Sequence, residues 1–308
     1  MSLPQIKQFD YSELALHLNT GALALKVGPF LVRLQSSLEQ FIRPFQLLYQ
    51  DHCVCLHGEY ADFHMSIERA GGVRRWLKPQ ALFYFDGRSP FKPLPLAHAY
   101  AAFEWGLNWC ISAHVNHFLI VHAAVVEKNG VVIILPATTG SGKSTLCAGL
   151  VSRGWRLFSD EHAMMRYASG ELRLYPLARP ISLKNRSIEV MQTFSPDVLI
   201  DGDAVDTVKG RVAHMRPPSE SVSRASELGK PQFIIQPRYQ KGVSTQLQST
   251  GRAEMMRHLV SQCFNYNIQG RLGFDLLVDL LDQSSCYQFI YSDLDDAVKV
   301  FDRLALDA

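Results

Sequence analysis

The chain has 308 residues, a formal net charge of +2, 47% hydrophobic residues and 19% charged residues. This length and apolar content predict one large folded domain or two smaller ones, and they exclude a largely disordered chain. The charge is close to neutral and basic residues are scattered, so nucleic acid is not an expected partner.

The N-terminus has no basic segment followed by an apolar run, and no apolar stretch reaches the roughly 18 residues of a membrane span. We therefore expect a cytoplasmic protein without a membrane partner. The six cysteines, at positions 53, 55, 110, 147, 263 and 286, are irregularly spaced and predict free thiols. The Cys53-Val-Cys55 pair lacks the second pair that a zinc site needs.

Residues 1–115 are expected to form a small α+β domain, because strand-like and helix-like patterns alternate without a chemical motif. The predicted elements are a strand at 29–36, a helix at 37–49, two strands of a small antiparallel sheet at 61–69 and 80–87, and a buried helix at 96–115. Basic residues and a Gly-Gly pair separate the two sheet strands. We expect a structural or partner-docking role for this domain.

Residues 116–308 change character and open with two β-branched runs, at 119–126 and 131–136. The Asn129-Gly130 pair between them is typical of a hairpin turn. A glycine-rich loop, LPATTGSGKST, follows, and then a predicted helix that ends near Gly154 and a short strand, RLFSDE. The order is strand, loop, helix, strand.

The rest of this part predicts an α/β fold in which helices cover a sheet. The expected elements are a hairpin at 164–177, a helix at 187–194, a mobile polar loop at 201–229, a strand at 232–237, helices at 251–264, 272–283 and 294–305, and a late strand at 286–292.

The loop matches the phosphate-binding pattern G-x-x-x-x-G-K-[ST], except that alanine replaces the first glycine. Its candidate nucleotide-binding residues are Ala137, Thr138, Thr139, Gly140, Ser141, Gly142, Lys143, Ser144 and Thr145. Backbone N–H groups at a helix N-terminus hold phosphate oxygens, the lysine reaches the β and γ phosphates, and the Ser144 hydroxyl can bind Mg²⁺. ATP and Mg²⁺ are thus the expected cofactors, and Ala137 is tolerable wherever φ is negative.

Two acidic residues and one histidine are further candidates. Asp160 and Glu161 end the strand RLFSDE, and a parallel strand beside the loop strand would bring both carboxylates to the phosphates. The alternative is that Asp160 caps the following turn. His122 lies in an apolar strand, where a histidine is more often a core residue than a catalytic one.

The segment Val121 to Glu161 resembles the catalytic core of HPr kinase/phosphorylase, in which a histidine strand, a hairpin, a phosphate loop, a helix and a strand ending in two acids follow in this order. The matching positions are His122, Ala137, Gly140, Gly142, Lys143, Ser144, Arg153-Gly154, Asp160 and Glu161. Later segments, ARPISLKN and DTVKGRVAHMRPP, are similar to the HprK-related kinase A group and to lasso-peptide precursor kinases. The resemblance implies a P-loop kinase core of the HPr kinase and phosphoenolpyruvate carboxykinase type, with a smaller α+β N-terminal domain.

The resemblance also implies roles for these residues. Asp160 would be the base acting on a serine hydroxyl, His122 a catalytic or phosphate-contacting group, and Glu161 a magnesium ligand or helper. Asp160, Glu161 and Ser144 are therefore the candidate metal ligands. In the later segments, Arg179 and Lys184 would form a charge clamp near the γ phosphate, while Lys209, Arg211 and His214 would lie on a closing loop; solvated surface cations are the alternative.

These features together predict an ATP-dependent kinase that phosphorylates a hydroxyl, serine being expected, of a peptide or small protein. The resemblance adds a PqqD-like peptide-binding protein as a candidate partner and allows a homo-oligomer. Two alternatives stay open: a kinase of small-molecule hydroxyls, and a nucleotide-binding regulator without catalysis.

Overall fold

The computed structural model describes residues 3–56, 58, 60–72 and 77–307 and shows a mixed α/β protein with three sheets. Its first part contains, in order, α1 (Tyr11–Asn19), β1 (Leu23–Val27), β2 (Phe30–Ser36), α2 (Glu39–Leu48), β3 (Val54–Leu56), β4 (Phe63–Arg69), β5 (Gln80–Phe85), β6 (Leu94–Pro95) and α3 (Ala99–His114). The basic residues predicted to separate β4 from β5, at 74 and 75, lie outside the described residues.

The N-terminal sheet has six strands in the order β3-β1-β2-β4-β5-β6. Strands β4 and β5 pair antiparallel, as predicted. The sheet as a whole is mixed, because β2 and β4 run parallel. Helix α2 lies between these two strands in the chain, and a helical crossover returns the chain in its original direction. The predicted helix at 96–115 corresponds to α3, most of which is buried.

The second part completes the chain with eleven strands and six helices in the described residues. These are β7 (Leu119–Lys128), β8 (Val131–Pro136), α4 (Lys143–Ser152), β9 (Arg156–Ser159), β10 (His162–Ala168), β11 (Glu171–Tyr175), β12 (Ile181–Lys184), α5 (Arg186–Phe194), β13 (Ile200–Thr207), β14 (Gly210–Met215), α6 (Ser219–Ser223), β15 (Pro231–Tyr239), β16 (Gln246–Ser249), α7 (Arg252–Gln262), α8 (Tyr266–Gln283), β17 (Ser285–Tyr291) and α9 (Leu294–Asp307).

The central sheet has the order β11-β10-β7-β8-β15-β17-β16, and β9 also pairs with β7. Alternate residues of β7 enter different cores, as the two-residue period of a strand requires. Ala124 and Val126 pack in the core that includes α4 and α9, whereas Val121 and Val125 pack in the core that includes α7 and α8. No helix in the described part is both long and apolar enough to cross a bilayer.

The sequence predicted that β9 would lie beside the loop strand β8. The structure instead separates these two strands. Strand β7 lies between them and is antiparallel to both. Strands β9 and β8 therefore still run in the same direction and end at the same edge of the sheet. The register pairs Ser159 with Val125 and His162 with His122, so β9 and β10 follow one line along β7 that is interrupted at Asp160-Glu161.

The sequence predicted a mobile loop for the polar stretch 201–229. In the structure this stretch contains β13, β14 and α6 instead. Strand β14 pairs with both β13 and β12 to form the third sheet. In β13, the buried Gly202 and Ala204 alternate with less buried residues, whereas the last four residues of β14, from Val212 to Met215, are all buried. Such short apolar segments are enough to make strands when other strands are available to pair with them.

The two parts of the chain share buried contacts. Helix α3 ends at His114 and β7 begins at Leu119, close to the predicted boundary at 115. The N-terminal core nevertheless includes Ile120, Met164 and Leu177. In addition, His52 Nε2 lies 2.8 Å from the carbonyl oxygen of Ala178.

Buried histidines predict an acid-sensitive fold. Burial lowers the pKa of His52 to about 4 and that of His162 to about 3, from an ordinary 6.5. The unfolded chain therefore binds more protons between pH 6.5 and 4, and stability falls as pH falls through this window, by up to about 1.4 kcal/mol per pH unit for each such group.

We expect the melting temperature at pH 5 to be well below that at pH 7, and His52→Gln to reduce the difference. Thermal unfolding of both proteins across this range tests the expectation, with circular dichroism as the readout. An identical pH dependence in the variant would contradict it.

Candidate active site

The phosphate loop connects the end of β8 to the first residue of α4, Lys143. Gly140 and Gly142 have φ of +87° and +89°, the left-handed region that favours glycine. Ala137 is buried and is not among the described non-glycine residues with positive φ. The alanine therefore occupies a position that needs no left-handed backbone, which removes the conformational objection to it.

Two tyrosines that sequence reasoning missed hold the loop in place. The Tyr239 N–H donates to the carbonyl oxygen of Ser141 at 2.7 Å, and the Tyr291 hydroxyl donates to that of Gly142 at 2.9 Å. Tyr239 and Tyr291 end the parallel strands β15 and β17. No local pattern in the sequence indicates this contact, because it depends on the order of strands in the sheet.

His122, Lys143 and Glu161 form a compact cluster beside the loop. His122 shares the strand face of Ala124 and Val126, and this face is covered by α4. Lys143 Nζ lies 3.3 Å from His122 Nε2 and 4.0 Å from Glu161 Oε2. It also donates to the carbonyl oxygen of Asp160 at 2.6 Å. The buried ammonium group thus has several polar neighbours, as a buried charge requires.

His122 Nε2 lies 3.0 Å from Glu161 Oε2. An ammonium group only donates, so Nε2 cannot donate to Glu161 and accept from Lys143 in the same tautomer. Burial opposes ionisation of Glu161, but Lys143 and a hydrogen bond from His122 outweigh it and hold the pKa of Glu161 well below its usual range. This agrees with a proton on Nε2 that His122 donates to an ionised Glu161.

Asp160 has a different environment. Burial raises its pKa, Lys143 opposes the increase, and the charge of Glu161 adds to it. Ser144 lies near enough to favour the ionised form, yet neither carboxylate oxygen of Asp160 has a hydrogen-bond partner of ordinary geometry among the described residues. A buried carboxylate with two unused oxygens can accept a cation or a proton.

Two cavities meet at this cluster. The larger, of about 1150 Å³, is lined by the loop residues from Thr138 to Thr145. The smaller, of about 480 Å³, is lined by α3 of the N-terminal part, by the end of α7 and by the two residues that follow α7. The residues that line both are His122, Thr139, Glu161, Ser182, Lys184 and Lys209. Asp160 is not among the lining residues of either cavity, whereas Glu161 lines both.

The remaining predicted cations separate into two groups. Lys184 and Lys209 reach the junction of the cavities, and burial, reinforced by the charge of Lys184, lowers the pKa of Lys209. Two cations held together in this way favour an anion between them.

The structure does not bring Arg179, Arg211 and His214 to the cluster. Arg179 is buried and donates to Asn108 Oδ1 at 2.5 Å, with Glu104 Oε2 at 3.6 Å. Arg211 pairs with Asp203 on the surface, and His214 is buried on β14. None of the three lines either cavity. Arg211 and His214 belong to the third sheet and not to a closing loop.

No protein-family model and no curated protein matches the chain. Among solved structures, the HPr(Ser) kinase/phosphatase from Coxiella burnetii is similar to it at 11% sequence identity and a TM-score of 0.28, over 61% of this chain and 99% of that chain. A TM-score of this size does not establish a common fold.

The loop geometry predicts that Gly142 cannot be replaced by alanine. The added Cβ would lie 2.6 Å from Tyr291 Oη, and φ of +89° is strained for any side chain. Gly142→Ala should weaken nucleotide binding about tenfold or more, a loss of about 1.4 kcal/mol. Ala137→Gly is the matched control and should bind as the native protein does. Titration with a fluorescent ATP analogue measures both, and equal affinity of the Gly142→Ala variant would contradict the prediction.

Proposed function

We propose that the protein is an ATP-dependent kinase that transfers the γ-phosphate to a hydroxyl of a peptide or small protein, with serine as the expected residue. The observation that supports it is the junction of the two cavities. A phosphate loop lines one cavity, a different set of residues lines the other, and His122 and Glu161 line both. This is the arrangement that a direct transfer between two bound substrates requires.

The larger cavity is suited to a nucleoside triphosphate. The N-terminus of α4 and its loop glycines can hold phosphate oxygens, and Lys143, Lys184 and Lys209 supply positive charge around them. Away from the loop, the same cavity is lined by the apolar side chains of Val190, Phe194 and Leu294. An apolar end beside a cationic end matches the base and the phosphates of ATP.

The residues present also suit a magnesium ion. No group of three or more His, Cys, Asp or Glu residues able to hold a metal occurs in the part of the chain that the structure describes. Magnesium needs no such cage, because it is usually bound through one or two carboxylates together with substrate phosphates and water. Asp160, with its unused oxygens, and the Ser144 hydroxyl would hold it. When bound, it would neutralise charge on the phosphates.

The geometry favours Glu161 as the proton acceptor, although the sequence resemblance implied Asp160. Glu161 lines the cavity from which an acceptor would approach, and Asp160 does not. Position takes precedence over basicity in choosing a base. In the free protein, the charge of Lys143 holds the pKa of Glu161 low. Bound phosphates would attract Lys143 and so raise the pKa of Glu161.

In the proposed transfer, the acceptor oxygen forms a bond with the γ-phosphorus. The bond between that phosphorus and the oxygen bridging to the β-phosphate breaks, and ADP leaves with the bonding electrons. The acceptor hydroxyl loses its proton to Glu161, which His122 orients through the 3.0 Å contact. Lys143, Lys184 and Lys209 stabilise the negative charge that the phosphoryl group and ADP carry.

A small-molecule hydroxyl is the second candidate acceptor. The volume of the smaller cavity, about 480 Å³, favours it, because small-molecule sites commonly measure about 300–1,000 Å³.

Lys143→Met should remove transfer from radiolabelled ATP, by roughly 100-fold or more, because the variant loses the charge nearest the phosphates. Lys241→Met, at an exposed lysine outside both cavities, is the control and should retain full activity. Retained transfer by a folded Lys143→Met protein would refute the proposed function.

The division of roles between the two carboxylates can be tested separately. Glu161→Gln should reduce kcat by about 100-fold or more while the affinity for ATP with Mg²⁺ stays near the native value. Asp160→Asn should instead raise the Mg²⁺ concentration needed for half-maximal activity. A loss of kcat in Asp160→Asn together with a raised Mg²⁺ requirement in Glu161→Gln would instead identify Asp160 as the base.

A further inference from the structure

The smaller cavity has walls that the transfer reaction does not require. Four residues of α3 line it: Trp105, Asn108, Trp109 and Ser112. Their spacing of three, four and seven residues places them on one face of the helix. Most other residues of α3 are buried in the N-terminal core. Both tryptophans therefore reach the cavity, and Trp109 is also held against the N-terminal core, with its ring centroid 5.7 Å from that of Phe85 and 5.5 Å from that of Phe91.

Phe264 forms part of the opposite wall and is 45% exposed. It is nevertheless firmly placed. The Phe264 N–H donates to the carbonyl oxygen of Ile120, and the next residue, Asn265, is buried. The Asn265 amide donates to the carbonyl oxygens of Val115 and Phe118 and accepts from the Ile120 N–H. An exposed aromatic ring on so rigid a support is suited to bind a ligand.

The Phe264 ring lies beside the reacting groups. Its centroid is 5.9 Å from that of His122 and 5.4 Å from that of His162. On the other wall, Lys209 Nζ lies 5.7 Å from the Trp105 ring centroid. The aromatic surface therefore begins next to the place where the hydroxyl must react.

Asn108 supplies a polar group of defined orientation. Its Oδ1 accepts from Arg179, whose guanidinium group can only donate. The Asn108 amide N–H₂ group must therefore point elsewhere, and it has no acceptor among the described residues. A carbonyl oxygen of a ligand in the cavity would accept a hydrogen bond from this amide group. Arg179 thus acts as a positioning residue for the cavity wall.

We infer that the smaller cavity binds a peptide segment in which a large apolar or aromatic side chain is adjacent to the hydroxyl residue that is phosphorylated. This inference rests on the proposed kinase function and specifies its substrate. The apolar side chain lies between Trp105 and Trp109 on one wall and Phe264 on the other, and Asn108 donates to a peptide carbonyl. The recessed cavity suits an extended segment rather than the convex surface of a folded domain.

Three blocked heptapeptides test this inference with the full chain, Mg²⁺ and radiolabelled ATP. One has serine at the centre of six glycines, and the others place phenylalanine directly before or directly after the serine. Free serine and glucose serve as small-molecule acceptors. We expect kcat/KM for one phenylalanine peptide to exceed that of the glycine peptide by about tenfold or more, the factor that stacking of about 1.4 kcal/mol produces.

Variants of the walls provide the matched test. Trp105→Ala and Phe264→Ala should each raise KM for the preferred peptide by about tenfold with little change in KM for ATP, whereas Trp105→Phe should recover most of the affinity. Phe274→Ala removes a ring that is 49% exposed on α8 and lines neither cavity. This control should change neither KM, and thermal melts confirm that each variant is folded.

The two proposals fail in different ways. A protein that does not bind a fluorescent ATP analogue would refute the kinase function itself. A protein that binds the analogue but phosphorylates the glycine peptide, free serine or glucose as well as the phenylalanine peptides would overturn only the substrate inference. Absence of transfer to both phenylalanine peptides, with nucleotide binding intact, would also overturn it.

Discussion

The ammonium group of Lys143 is the charge around which the candidate site is organised. It is buried at the start of α4, where an unpaired cation would be costly. The carbonyl oxygen of Asp160 accepts from it, and His122 and Glu161 lie within 4.0 Å. These partners come from β7 and from the break between β9 and β10, so the sheet must hold both at the end of the phosphate loop. The strand order and the interruption of β9 and β10 both serve this requirement.

The two acids illustrate how adjacent residues at a break between two strands acquire different chemistry. Asp160 is enclosed near Ser144, whereas Glu161 reaches both cavities. Burial raises the pKa of Asp160, and Lys143 with His122 lowers that of Glu161. The two shifts are opposite because burial dominates at Asp160, whereas charge and hydrogen bonding dominate at Glu161.

The N-terminal part contributes more to the site than a separate docking domain would. Helix α3 buries most of its surface in its own core but turns Trp105, Asn108 and Trp109 toward the second cavity. The contact of Arg179 with Glu104 fixes this helix against the second part of the chain, and the contact of His52 with Ala178 joins the segment before β3 to the same part. The relative position of the two parts therefore determines the shape of the smaller cavity, which the proposed function assigns to the acceptor.

The sequence alone determined the phosphate loop, the hairpin before it and the helix after it, because these depend on glycine conformation and residue spacing over about a dozen positions. It also identified His122, Asp160 and Glu161 as candidates. It missed Tyr239, Tyr291, Trp105 and Phe264, and it placed Arg179 near the phosphates. Only the tertiary structure decided these points, since strand order and the packing of α3 bring together residues 71 or more positions apart, and no local pattern in the chain encodes which distant side chains will meet.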